Sequence, residues 1–210
     1  MPTFSHIFEF SVVALGMVLT PGPNMIYIIS RSICQGRTAG LISLGGVALG
    51  FIFYMLCAAF GITAFVMAVP YAYGALRIGG ALYLLYLAWQ AIRPGGRSPF
   101  QVRDLPVDGT RRLFFMGFVN NLLNPKIAVM YLSLLPQFIE PGHGSILQQS
   151  LILGTTQIVI SLAINAMIAI MAGSVALTLA RHPKWANLQR YIMAAVLSGL
   201  ATKMLADGKT

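Results

Sequence analysis

Two short polar segments interrupt apolar stretches of this chain, TPGPN at 20–24 and NNLLNPK at 120–126. Proline has no backbone N–H and crowds the carbonyl four residues before it, so each segment predicts a break in a helix. The backbone groups that a break frees cannot be satisfied by hydrocarbon and must face protein or water. Both segments therefore predict non-helical backbone that lines a polar cavity.

Such breaks can bind a small molecule that carries both a negative and a positive charge. The N-terminus of a half-helix favours an anion, and amide oxygens accept hydrogen bonds from an ammonium group. Farther along, Gln157, Ser161 and Asn165 follow Gly154 on one stripe of a helix, which predicts either pore lining or hydrogen bonds between helices. The candidate substrate-binding residues are Pro21, Gly22, Pro23, Asn24, Asn120, Asn121, Asn124, Pro125, Lys126, Gln157, Ser161 and Asn165.

Lys126 is the one basic residue predicted to lie deep within an apolar span. A lysine near the bilayer centre costs about 2.5–3.5 kcal/mol on insertion scales, so it should face a partner or water. It could hold the carboxylate of a substrate, or it could bond the carbonyls freed at the other break. We favour the carboxylate.

The composition indicates that these residues lie within a membrane. Hydrophobic residues make up 57% of the 210 residues, charged residues make up only 9%, and the mean hydropathy is +0.77. Apolar runs long enough to cross a bilayer recur along the chain. We predict an all-α membrane protein with six transmembrane helices, at about 7–30, 40–66, 72–92, 113–138, 147–177 and 187–206.

The two breaks lie in the first and fourth of these helices, half a chain length apart. Because each half holds three spans, the halves should have opposite orientations, as in an inverted repeat of three plus three helices with broken helices 1 and 4. We therefore predict one transmembrane domain over 1–210, with repeat halves at about 1–92 and 113–206 and a cytoplasmic linker at about 93–112.

The net charge of +9 is a topology signal and does not indicate nucleic-acid binding. Ten of the 14 basic residues follow the first, third and fifth spans. By the positive-inside rule these loops are cytoplasmic, which predicts a multi-pass membrane protein with both termini on the outer side. Separately, Gly46 and Gly50 form a small-x-x-x-small motif, which indicates close helix packing within the bundle or in a homodimer.

Several function classes lack the residues that they require. Cys34 and Cys57 have no metal-binding or redox spacing, the histidines fall near span ends, and no Walker loop is present. We predict no metal, no cofactor and no enzymatic activity. A channel-like ion carrier stays open as an alternative to a transporter.

Three segments of the chain resemble the lysine exporter (LysE/RhtB) superfamily of amino-acid exporters, in its RhtB-like branch: LTPGPNMIYIISRSICQGRTAGL at 19–41, LGGVALG at 44–50 and GFVNNLLNPKIAVMYLSLLPQF at 117–138. The resemblance implies six membrane helices, export of a small molecule from the cytoplasm and a proton-linked secondary mechanism, that is, proton antiport. It also implies a place in the bacterial inner membrane, where the outer side, with both termini, is periplasmic.

The substrate prediction depends on an absence. No Asp or Glu is predicted at the depth of the breaks, so a second positive charge on a substrate would have no partner there. We therefore predict export of neutral amino acids or close derivatives, of the threonine, homoserine or leucine type. The alternatives are a cationic amino acid or another small solute of the same superfamily.

Overall fold

The computed structural model describes residues 2–20, 22–62, 72–93, 107–140 and 142–181, together with scattered positions between 191 and 206. Every regular element within these ranges is helical. The prediction of an all-α membrane protein is confirmed at this level.

The first half of the chain begins with a broken helix. Helix α1 spans Phe4–Leu19 and helix α2 spans Pro23–Gln35, with Gly22 as the extended residue before α2. Helix α3, Arg37–Cys57, follows Gly36, whose φ of 88° lies in the left-handed region that glycine adopts without strain. Helix α3 continues as a π-helical turn over Ala58–Ile62, and helix α4 spans Ala72–Ile92.

The second half has a break in its first helix too. Helix α5 spans Thr110–Leu122 and helix α6 spans Pro125–Val129, which continues through a π-helical turn, Met130–Leu134, and a 3-10 turn, Leu135–Phe138. Helix α7, Ile146–Arg181, is 36 residues long, which is more than a bilayer requires.

These helices coincide with the first five predicted spans. Among the described residues, two stretches are long and apolar enough to cross a membrane unaided, Arg37–Phe60 and Ile146–Ala172. There are four if each bent pair counts as one span: α1 with α2 is bent by 53°, and α5 with Pro125–Phe138 by 51°. Most of the sixth predicted span, 187–206, lies outside the described residues, so the inverted repeat of six helices stays a prediction.

Glycines let α3 and α5 approach each other to backbone contact. A Cβ added to Gly46 would lie 1.9 Å from the carbonyl oxygen of Phe114, and one added to Gly117 would lie 2.1 Å from the carbonyl oxygen of Ser43. A Cβ on Gly50 would lie 2.6 Å from Asn121 Oδ1. The Gly46-x-x-x-Gly50 motif therefore serves packing within the chain, and it fixes the position of the α5 end that carries the second break.

Candidate functional site

The two helix breaks lie against each other. Asn120 Nδ2 on α5 donates a hydrogen bond to Asn24 Oδ1 on α2 over 2.9 Å. Lys126 Nζ on α6 donates to the carbonyl oxygen of Thr20, at the end of α1, over 2.5 Å. The two helix ends at the first break are thus each hydrogen-bonded to one of the two helix ends at the second break, about half a chain length away in sequence.

Local helix chemistry positions Lys126. Pro125 begins α6, and Asn124 caps that helix by accepting the Lys126 backbone N–H at Oδ1 over 3.1 Å. The Lys126 stem runs beside Gly22, where an added Cβ would lie 3.1 Å from Lys126 Cδ. Its ammonium reaches the C-terminal end of α1, where carbonyls carry partial negative charge. Of the two predicted contacts for Lys126, the structure describes the one to a freed carbonyl; carboxylate binding stays a prediction.

The polar stripe of α7 forms one hydrogen-bonded chain. Tyr131 Oη donates to Gln157 Oε1 over 2.6 Å, and Gln157 Nε2 donates to Ser161 Oγ over 2.8 Å. One turn farther on, Asn165 Nδ2 donates to the Ser161 carbonyl oxygen over 2.8 Å. The sequence left two interpretations of this stripe open, pore lining and hydrogen bonds between helices. The bond from Tyr131 to Gln157 is a hydrogen bond of the second kind.

The same stripe also faces a small internal cavity between the breaks. The cavity has a volume of about 30 Å³, close to the share of one water molecule in the liquid. Seven of the candidate substrate-binding residues line its wall: Gly22, Asn24, Asn124, Lys126, Gln157, Ser161 and Asn165. The rest of the wall is apolar: Ala14, Met17, Val18, Met25, Phe51, Ile127 and Met130.

Two residues of the cavity wall each have one side-chain atom without a hydrogen-bond partner among the described residues. Asn24 Nδ2 is a donor on a side chain that is only 6% exposed, and Asn165 Oδ1 is an acceptor on one that is 3% exposed. The first turn of α2 also lacks a side-chain cap at Gly22. Buried polar groups are nearly always paired in native proteins, so an unpaired donor and an unpaired acceptor in one cavity are suited to a ligand with both polarities.

The structure places the remaining predicted residues elsewhere. Asn121 is buried against Gly50 at the α3–α5 contact, and Asn120 reaches the site only through its bond to Asn24. Pro23 and Pro125 are exposed at the first positions of their helices. Pro21 lies outside the described residues.

One contributor was missed because it acts through its backbone. The Thr20 carbonyl accepts the Lys126 ammonium, a role that any residue type before the proline could fill. The usable signal was the break itself, since a helix that ends there leaves its last carbonyls without helical donors, and α1 ends at Leu19 with Thr20 as its C-cap.

A buried ion pair closes the bundle at one end. Arg31 Nη1 lies 2.7 Å from Asp108 Oδ2, and Arg112 Nε lies 3.0 Å from Asp108 Oδ1. Gln35 Nε2 also donates to the Asp108 carbonyl oxygen over 3.0 Å. The contacts join the C-terminal turn of α2 to the start of α5. Sequence reasoning missed Asp108, since it falls within the predicted linker.

A second polar cluster lies at the other end. Glu140, after the Pro125–Phe138 segment, has Oε1 3.3 Å from His6 Nδ1 and Oε2 3.1 Å from His143 Nδ1. Gln149 Nε2 on α7 donates to the Glu140 carbonyl oxygen over 2.8 Å. These contacts join the start of α1, the end of the second broken helix and the start of α7.

Comparison with known proteins identifies the family. The model of the LysE type translocator family matches residues 15–208. A leucine efflux protein of Enterobacter sp. strain 638 is 27% identical over 209 residues, covering 95% of this chain and 94% of that protein. The leucine efflux protein of Salmonella typhimurium is 25% identical over 199 residues, with 95% and 94% covered.

An uncharacterized membrane protein of Pseudomonas aeruginosa is 27% identical over 218 residues, covering 99% of this chain and 96% of that protein. No solved structure matches the chain. The resemblance inferred from the helix-break motifs is confirmed: this chain belongs to the LysE type translocator family.

Proposed function

We propose that this protein exports neutral amino acids of the threonine, homoserine or leucine type from the cytoplasm by proton antiport. The observation that carries the proposal is the buried cavity at the joined breaks, with an unpaired donor on Asn24 and an unpaired acceptor on Asn165. The family and its leucine efflux members support the assignment to an amino-acid exporter.

The substrate carboxylate binds at the start of α2. The backbone N–H groups of the first turn of that helix are free of side-chain caps, and Asn24 Nδ2 adds a donor beside them. A helix N-terminus with its partial positive charge favours an anion. The ammonium group of the substrate donates hydrogen bonds to amide and carbonyl oxygens of the same cavity. The cavity is therefore suited to a zwitterion.

The cavity wall favours a neutral side chain. Beyond its polar residues the wall consists of aliphatic side chains, methionines and Phe51, and none of its described residues is Asp or Glu. Bringing a second cation there without a partner costs several kcal/mol, or more than about a hundredfold in affinity. Lysine and arginine are therefore poor substrates.

The proposal includes an orientation in the membrane. The protein lies in the bacterial inner membrane as an inverted repeat with both termini periplasmic, so the Arg31–Asp108 pair is at the cytoplasmic end and Glu140 at the periplasmic end. Reporter fusions at Gly142 and Thr210 should show periplasmic activity. Cytoplasmic activity of either fusion contradicts the orientation.

The test is efflux from proteoliposomes loaded with labelled leucine, threonine, homoserine, lysine or arginine, with and without a pH gradient. We expect saturable efflux of the neutral amino acids that the gradient stimulates. Asn24→Ala should raise the apparent KM by about tenfold, the value of one hydrogen bond to a charged group.

Asn121→Ala is the matched control, because Asn121 is buried at the end of α5, beside the second break, but is not on the described cavity wall. It should leave the KM near that of the unmodified protein. Displacement of labelled leucine by lysine or arginine better than by any neutral amino acid would overturn the substrate proposal.

A further inference from the structure

The Lys126 ammonium rests on a backbone carbonyl, and none of the described carboxylates forms an ion pair with it. The side chain is 5% exposed, and Nζ bonds the Thr20 carbonyl at the C-terminal end of α1. The partial negative charge of that helix end is what balances the ammonium. A cation held only by dipoles can be replaced there by another cation of the same shape.

The charged and titratable groups around Lys126 are few. From α1, α3 and α7 the described cavity wall carries no ionisable side chain, and the nearest charge on α2 is Arg31, which is paired with Asp108. Tyr131 donates its hydroxyl to Gln157 and stacks on Tyr54. The described titratable side chains of α4, which packs near α6, are Tyr83, Tyr86 and, just after the helix, Arg93. Lys126 is thus the one ionisable side chain that the described cavity wall contains.

The oxygen that holds Lys126 is also suited to the ammonium group of an amino acid. Both groups are R–NH₃⁺ with three donors. The Thr20 carbonyl accepts one hydrogen bond already, from Lys126. Asn165, which lines the same cavity as Lys126, has an acceptor, Oδ1, with no hydrogen-bond partner among the described residues. No other unpaired side-chain acceptor lies on the described part of this wall.

Two ammonium groups cannot share these oxygens. At the effective dielectric constant of protein sites, the repulsion between two unit charges about 4 Å apart lowers the affinity for the second charge by a factor of about 10³. A substrate ammonium can therefore bind only after Lys126 has lost its charge and left Thr20.

We infer that the Thr20 carbonyl and Asn165 Oδ1 form the ammonium subsite of the substrate, and that protonated Lys126 occupies this subsite when no substrate is bound. The inference rests on the proposed function. On the substrate-loading side, Nζ gives one proton to water, the neutral amine leaves Thr20 and the substrate ammonium replaces it. On the release side the substrate leaves, and Nζ takes one proton from water. Substrate and proton thus exchange one for one.

The test is binding of labelled leucine to the purified protein in detergent as a function of pH. The affinity of the unmodified protein should rise with pH, by up to about tenfold per unit while Lys126 is protonated, because one proton competes with each substrate. Lys126→Met should bind with an affinity that does not depend on pH and that exceeds the unmodified value at acidic pH.

Lys126→Arg supplies the opposite case. A guanidinium stays protonated at every working pH, so it should hold the Thr20 carbonyl permanently and abolish leucine binding. Arg37→Met, which removes an exposed cation at the start of α3, should keep the unmodified pH profile. Size-exclusion profiles establish that each variant is folded.

A second measurement needs no variant. 3-Methylbutylamine, which is leucine without its carboxylate, should displace label more strongly as pH rises, whereas 4-methylpentanoate, which lacks the ammonium, should not. Equal pH dependence of the two analogues overturns the inference. Binding that weakens at every pH in Lys126→Met but persists in Lys126→Arg also overturns it and assigns the carboxylate to Lys126. Failure of the unmodified protein to bind any amino acid at any pH overturns instead the proposed function.

Discussion

Replacing Gly46 with alanine should push α3 and α5 apart. The new Cβ would lie 1.9 Å from the carbonyl oxygen of Phe114 and 2.8 Å from the backbone nitrogen of Phe118. Since both are backbone atoms, no side-chain rotation relieves the clash, and an opening of about 1.5 Å is needed to reach an ordinary contact of 3.4 Å. Such overpacking costs about 1–3 kcal/mol, against about 1 kcal/mol gained in helix propensity.

Gly45→Ala is the matched control for this change. It makes the same substitution one residue earlier in α3, where the Cβ would lie 3.4 Å from the Phe114 ring, an ordinary contact. Both variants gain the same helix propensity, so the difference between them isolates the overpacking. With about 2–4 °C per kcal/mol for a chain of this size, Gly46→Ala should melt about 2–12 °C below Gly45→Ala.

The assay is thermal unfolding in one detergent, followed by circular dichroism at one scan rate. Leucine binding by the same samples should weaken in Gly46→Ala alone, because α5 carries Asn120, which bonds Asn24 at the cavity. Equal melting temperatures for the two alanine variants would refute the backbone contact between α3 and α5.

Two further substitutions test buried polar contacts through thermal unfolding. Asp108→Asn leaves Arg31 buried without its carboxylate and should cost about 3–5 kcal/mol, whereas Arg112→Gln, whose side chain is 70% exposed, should cost less than about 1 kcal/mol; equal losses would contradict the buried pair. Tyr131→Phe leaves Gln157 Oε1 without its donor and should cost about 1–3 kcal/mol; an unchanged melting temperature would contradict that hydrogen bond.

The sequence predicted the helix breaks because proline acts locally. Pro23 and Pro125 begin α2 and α6 as the lack of a backbone N–H requires, and Asn124 caps the second of these helices. The apolar lengths predicted five spans that coincide with helices of the structure. These features depend on neighbours in the chain, which a sequence displays directly.

Contacts between distant segments were harder to predict. Asn121 and Asn120 are adjacent, and composition cannot say which of them faces α2 and which is buried against Gly50. Arg31 is one of the ten basic residues that were counted as a topology signal, and its pairing was missed because its partner Asp108 is 77 positions away, in a stretch with no apolar pattern. The rotation of α5 about its axis decides the first case, and the glycines of the α3–α5 contact set that rotation.

The described conformation is too closed to hold the substrate of the proposed exporter. Pockets for small ligands have volumes of about 300–1,000 Å³, and this cavity has about 30 Å³. The glycines of α3 and α5 bring the two backbones into contact, so we expect these two helices to move together. An exporter that admits its substrate between α2 and α5 must therefore break the contacts that cross between these helices: Arg31 with Asp108, Tyr27 with the Leu113 carbonyl, and Asn24 with Asn120. The last of these lies at the break itself, so opening that end of the bundle also frees Asn24 Oδ1 for the incoming substrate.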